Sequence, residues 1–86
     1  VLAARQLDRL EALAQEIRAM GVDAIAIPTD VRDPDQVSAL ADKALQHYGA
    51  IDVLINNAGI YMLGPVDKFS LDDWHAVIDT NLWGYI

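Results

Sequence analysis

Val53-Leu54-Ile55-Asn56-Asn57-Ala58-Gly59 is the stretch on which the reading of this chain turns. Three bulky apolar residues run without alternation into two amides and then a small-residue turn. An apolar run of that kind suits a strand covered on both faces, which usually means a parallel sheet between helices. In such an open sheet, ligands bind beyond the carboxyl ends of the strands. Asn56 and Asn57 stand at that end and offer donors and acceptors without charge. Ala58-Gly59 lets a ligand approach the backbone closely. A plain strand followed by an Asn-rich turn explains the same residues.

Upstream, Val1 to Ala4 reads as the tail of a strand, with Arg5 at its carboxyl end. From Leu7 the apolar residues fall at Leu7, Leu10, Leu13, Ala14, Ile17 and Met20, the steps of an amphipathic helix. Gly21 ends it in the manner of a left-handed C-terminal glycine. Val22 to Pro28 is the next strand, and Pro28, without an N–H, fits its end or an edge. Thr29-Asp30-Val31 then leads into a loop. Asp33-Pro34-Asp35-Gln36 is a helix start, with Asp33 as cap, Pro34 at the first position and Gln36 completing a capping box. Val37, Leu40, Ala41, Ala44, Leu45 and Tyr48 form its buried stripe, and Gly49 stops it. His47 has no second His or acidic partner at ligand spacing, so no metal role is assigned to it.

Downstream, the loop Ile60 to Phe69 is unusually apolar at Tyr61, Met62 and Leu63. It either folds back on the body or lines an apolar pocket. Ser70 caps the last helix, and Asp72 and Asp73 sit in its first turn, where the helix dipole favours negative charge. Trp74, Val77, Ile78, Leu82 and Tyr85 mark its apolar face. Asn81 shares that face, and a buried amide left unpaired costs about 1–3 kcal/mol. Backbone, water or ligand must therefore answer it. Strand and helix alternate three times, through connections that suit parallel strands and right-handed crossovers.

Hydrophobic residues make up 53% of the 86 and charged residues 22%, a chain built to bury a core. Net charge is −7 and the pI is near 4.3, which argues against nucleic acid or an anionic membrane as partner. No apolar run approaches the roughly 18 residues of a membrane span. The absence of cysteine excludes disulfides and thiolate metal sites and fits a reducing compartment.

Taken in order, Ala4-Arg5, Thr29-Asp30-Val31, Asn56-Asn57-Ala58-Gly59 and Asn81 resemble the short-chain dehydrogenase/reductase family over essentially the whole chain. The resemblance implies an α/β Rossmann-like doubly wound parallel sheet in part, strands 2 to 4 with their helices, so that residues 1–86 form a partial NAD(P)-binding domain. It implies that Asp30 receives the adenine amino group, with Val31 packing beside the ring. Asp30 as a turn cap is the bland alternative. Asn56, Ala58 and Gly59 then lie beside the adenosine ribose, and Asn57 helps hold the strand ends. Asn81 takes the catalytic-set role of supporting a water and proton relay to a lysine. The family usually assembles as homodimers or homotetramers, with Trp83 a candidate interface residue, and the implied location is the cytoplasm.

Arg5 bears on the cofactor. Recognition of a plain ribose needs an acidic residue at the end of the second strand. Ala4 stands there, followed by Arg5, whose fork of donors suits a 2′-phosphate. NADP(H) is therefore expected over NAD(H), which stays the second option. Arg5 pairing with Asp8 or solvent is the bland alternative. The family's Gly-rich pyrophosphate turn and its Tyr-x-x-x-Lys pair are not in this sequence, so the chain is expected to be an internal part of a longer enzyme and inactive alone. With the implied strand order 3-2-1-4, the strands at 1–4 and 51–57 would both flank a slot belonging to the missing first strand. The expected function is part of an NADP(H)-dependent oxidoreductase moving hydride between nicotinamide and a carbonyl or alcohol substrate. A non-catalytic nucleotide-binding or scaffold protein on the same fold is the alternative. A response-regulator-like reading lacks the acidic cluster it needs.

Overall fold

Strand β1 (Leu2–Ala4) and strand β2 (Ala26–Pro28) lie side by side and parallel in the computed structural model, which describes residues Val1–Ile86. Leu2 stands opposite Ala26, Ala3 opposite Ile27 and Ala4 opposite Pro28. Helix α1 (Leu7–Ala19) makes the crossover between them. Its Leu10 and Ala14, one turn apart, are buried, as are Ala24, just ahead of β2, and Ile27 within it. Close packing of small residues at Ala14 and Ala24 brings helix and sheet together. Helix α1 ends at Met20, and Gly21 follows at φ +90°, the left-handed stop read from the sequence.

Helix α2 (Pro34–Tyr48) starts as its sequence prescribes. The Asp33 carboxylate accepts from the Asp35 N–H at 2.9 Å and the Gln36 N–H at 3.3 Å, with Pro34 in the first turn. Its C-cap is Gly49 at φ +79°, and the Gly49 N–H donates to the Leu45 carbonyl. His47 does have an acidic neighbour, Asp23, at 3.5 Å, brought there by folding and not by sequence spacing. The Tyr48 hydroxyl and then His47 hold the Asp23 carboxyl below its ordinary range. No group of three His, Asp or Glu side chains gathers to hold a metal ion.

Helix α3 (Leu71–Asn81) opens on a complete capping box. The Asp73 N–H donates to Ser70 Oγ at 3.1 Å, and the Ser70 N–H donates back to Asp73 Oδ2 at 2.9 Å. A short 3-10 helix precedes it at Val66–Lys68, and another, Trp83–Tyr85, follows it. No helix is long and apolar enough to cross a membrane.

Three expectations differ from the structure. The strand read over Val22 to Pro28 is confined to Ala26–Pro28, the residues that pair with β1. Residues 51–57 form no strand, and Val53, Leu54 and Ile55 are 75%, 78% and 80% exposed. A strand exists by pairing. The sheet has only β1 and β2, neither of which pairs with this run, so no ladder forms here. The helix stripes are also only partly covered: Met20 is 76% exposed, and Leu7, Leu13, Leu45 and Tyr48 all remain on the surface. The radius of gyration is 15.2 Å, against roughly 12 Å for a close-packed domain of this length. The sheet is too narrow to cover the helices it carries.

Replacing Gly49 by Ala puts a side chain on left-handed backbone with nothing within 4 Å of its Cβ, so strain alone is tested. Gly49→Ala should destabilise the intact protein by about 1 kcal/mol, and Gly49→Asn by less, since Asn tolerates this region. Urea unfolding midpoints with an unchanged m-value check the order.

Candidate functional site

The last rung of the sheet sets where the candidate residues stand. The Thr29 N–H donates to the Ala4 carbonyl at 2.8 Å, so the chain leaves β1 at Arg5 and β2 at Asp30 from neighbouring points. Thr29 is buried, and its hydroxyl donates to the Ile27 carbonyl at 3.1 Å.

Asp30 carries a dense set of bonds. Its carboxylate accepts from Arg32 Nη2 at 2.6 Å, from Arg32 Nε at 3.0 Å and from the Arg32 backbone N–H at 3.0 Å. Two guanidinium nitrogens thus face one carboxylate, the geometry that makes Arg a strong partner. The Arg32 hydrogen bond is the largest cause that lowers the Asp30 pKa to about 2, and the charge of Arg5 adds to it. Asp30 is a carboxylate throughout the physiological range. The Asp30 N–H donates to Gln36 Oε1 at 2.8 Å, while Gln36 Nε2 donates to Asp33 Oδ2 at 3.0 Å. Gln36 therefore does not close the capping box expected of it. It ties the start of α2 to the Asp30 loop instead. Arg5 is exposed and pairs neither with Asp8 nor with any other carboxylate.

A second loop, Ala58 to Ile60, is held by the far end of α3. Asn81 Nδ2 donates to the Ile60 carbonyl at 2.7 Å, and Asn81 Oδ1 accepts from the Ile60 N–H at 2.8 Å. The amide expected to be buried is exposed, and backbone answers it on both sides. A Cβ at Gly59 would sit 3.5 Å from Asn81 Oδ1, so this approach is close without being closed. The Tyr85 hydroxyl donates to the Ala58 carbonyl at 2.6 Å. Asn56 and Asn57 are exposed and their amides make no hydrogen bond within the chain, so the strand-end role of Asn57 has no counterpart in these bonds. Asn56 lies two residues from Ala58, within about 7 Å along the chain.

The two loops meet through the turn after α3. A Cβ at Gly84 would stand 2.7 Å from Val31 Cγ2, so the backbone of Gly84 lies directly on Val31. Asp79, in the last turns of α3, adds its charge to the hold on the Arg32 guanidinium, after the Asp30 bond and charge. Arg5 and Asp30 are brought together by the sheet, Val31 meets the α3 end, and Ala58 and Gly59 meet Asn81 and Tyr85. Sequence reading missed Arg32 and Gln36 as partners of Asp30. The Asp30-x-Arg32 spacing was the available signal, since an Asp side chain readily turns back on a residue two positions on.

The Asp30–Arg32 bond has an acid signature. The Asp30 pKa is depressed from an unfolded value near 3.8, so its stabilisation is present above that value and is lost as pH falls toward about 2. The Arg32 side chain is 37% exposed, and solvent screening keeps the net contribution to the small amount of a surface pair. Arg32→Ala should lower stability by that amount at pH 7 and by progressively less between pH 4 and pH 2, as urea unfolding across that range would show.

A family model described as short chain dehydrogenase matches residues 1–86. The chain is 45% identical over 87 aligned residues to an uncharacterized oxidoreductase of Staphylococcus saprophyticus, covering 100% of this chain and 34% of that protein. Its fold matches an alcohol dehydrogenase from the archaeon Thermococcus sibiricus complexed with 5-hydroxy-NADP, at 33% identity and TM-score 0.88, over 96% of this chain and 36% of the other. It also matches an actinorhodin polyketide ketoreductase with NADPH, at 35% identity and TM-score 0.91, over 96% and 32%. The chain spans about a third of the length of these relatives. Those solved structures are Rossmann-fold proteins, the α/β class that the parallel β1–α1–β2 unit also shows. By the family match along its whole length, the chain belongs to the short-chain dehydrogenases.

Proposed function

We propose that residues 1–86 form the adenosine side of a dinucleotide pocket in an NADP(H)-dependent oxidoreductase acting on small carbonyl or alcohol substrates. The observation that carries this reading is an ionised Asp30 beside an uncommitted Arg5, each just past one of two adjoining strands.

The residues fit the cofactor. Arg32 makes four contacts with the Asp30 carboxylate, two on each oxygen, and holds it ionised, so an adenine amino group would share these oxygens with Arg32. Val31 lies beside it. Arg5 has its donors unspent, as recognition of a 2′-phosphate requires. Asn56, Ala58 and Gly59 border the ribose, where Gly59 keeps the backbone uncovered. When bound, NADP(H) supplies or takes the hydride. Asn81 holds the Ile60 backbone and serves the proton relay as a positioning residue. Two of the similar structures hold NADP-type ligands and are called an alcohol dehydrogenase and a ketoreductase, which supports the same chemistry here. NAD(H) remains the second cofactor.

The substrate side is read from the loop Ile60 to Val66. A cavity of about 230 Å³ opens there, lined by Ile60, Tyr61, Met62, Phe69, Trp74 and Val77 with Asn81 and Asp73. Its lining suits an apolar substituent. Trp83, 61% exposed, is offered for a homodimer or homotetramer. One observation keeps a second reading in view. Both bonds of the Asn81 amide go to Ile60, a structural link that a non-catalytic nucleotide-binding relative would also need.

Arg5→Ala tests the cofactor choice in the intact protein. A charge-assisted bond contributes about 1.5–3 kcal/mol, or roughly ten- to a hundredfold. The ratio of NADPH to NADH affinity should fall by that factor, with NADH affinity nearly unchanged. An unaltered ratio removes Arg5 from the phosphate site.

A further inference from the structure

The geometry points to the turn Trp83–Tyr85 as a positioning element that holds the two nucleotide-facing loops at a fixed spacing; this rests on the dinucleotide reading above. Two contacts from adjacent residues carry it. The Tyr85 hydroxyl donates to the Ala58 carbonyl at 2.6 Å, across 27 residues of chain. Gly84 lies against Val31 so closely that a Cβ there would come within 2.7 Å of Val31 Cγ2, 3.1 Å of Val31 Cβ and 3.3 Å of the Asp79 carbonyl. One short turn thus touches the Asp30-Val31 loop with its backbone and the Ala58-Gly59 loop with its side chain.

Each contact constrains a different freedom. The Ala58 loop follows a run that no ladder holds, so its position depends on α3 and the turn beyond it. Asn81 fixes the backbone at Ile60, on the far side of Gly59 from Ala58. Tyr85 fixes it at Ala58, and Gly59 is bracketed between the two. Gly84 sets how near the bracket comes to Val31, because any side chain would have to push Val31 or the α3 backbone aside. The φ of Gly84 lies outside the left-handed region, so closeness and not backbone conformation is what demands glycine there. A nucleotide spanning both loops meets them already spaced and is spared the cost of ordering them.

The test uses the intact protein, with NADPH binding followed by fluorescence, steady-state kinetics with a carbonyl substrate, and thermal melts. Tyr85→Phe keeps the ring and removes the hydroxyl. It should weaken NADPH binding roughly three- to tenfold, the range of one ordinary hydrogen bond. The KM for NADPH should rise in step, and kcat should stay within about twofold, since binding and chemistry then separate. Gly84→Ala should weaken binding more, and its effect should shrink at least threefold when Val31→Ala makes room, as direct contact requires. If Tyr85→Phe lowers the melting temperature and leaves NADPH affinity unchanged, the turn is merely structural and the inference is overturned. If Gly84→Ala does not fold, Tyr85→Phe decides alone. Failure of the wild-type protein to bind NADPH would instead sink the dinucleotide reading, and this inference with it.

Discussion

The hydrogen bond from the Thr29 N–H to the Ala4 carbonyl closes the β1–β2 ladder at the end where the candidate site begins. Pro28 occupies the paired position opposite Ala4 and has no N–H to give. In a parallel ladder that N–H would face away from β1 in any case, and the Ala4 carbonyl accepts from the residue after its partner, Thr29. Thr29 donates while buried, with its hydroxyl turned back on Ile27. That places the first free residue after each strand, Arg5 and Asp30, side by side. The Arg32 fork, the Gln36 bridge and the contact of Val31 with Gly84 all follow from where Asp30 is set down.

Electrostatics at this rim run against the charge of the whole chain. A net charge of −7 repels an anionic nucleotide at long range. At physiological salt, charges more than about 8–10 Å apart are largely screened, so the local arrangement decides binding. Locally, Arg32 is consumed by Asp30 and further held by Asp79, which leaves Arg5 as the cation without a partner. The local charge at this rim is thus set by single side chains and not by the acidic balance of the chain.

The apolar run at Val53 to Ile55 exposes how much of the fold depends on cover. Fully burying a side chain of this size contributes about 1.5–3 kcal/mol. Three of them, 75–80% exposed, leave several kcal/mol unrealised, comparable with the total stability of a small domain. The same holds for the helix stripes. Helices keep their own hydrogen bonds without full cover, whereas the 51–57 run, which needs a partner strand to be regular, has no regular structure.

Much of this protein was legible before folding was considered, and the legible part is local. Both glycine stops, the Asp33 and Ser70 caps and the parallel β1–α1–β2 unit follow from residues within a turn of each other or from simple periodicity. Arg5 and Asp30 were legible as residues just past strand ends, whereas the strand expected before Asn56 to Gly59 is absent. Only the tertiary structure decided that Gln36 turns to Asp30, that Asp23 reaches His47, and that the 51–57 run stands unpaired. It alone decided that Asn81 and Tyr85 bond Ile60 and Ala58 across 21 and 27 residues. The physical reason is range: a cap or a stop is chosen by neighbours along the chain, whereas a bond between distant backbone and side chain exists only after packing has paid the entropy of closing the loop between them.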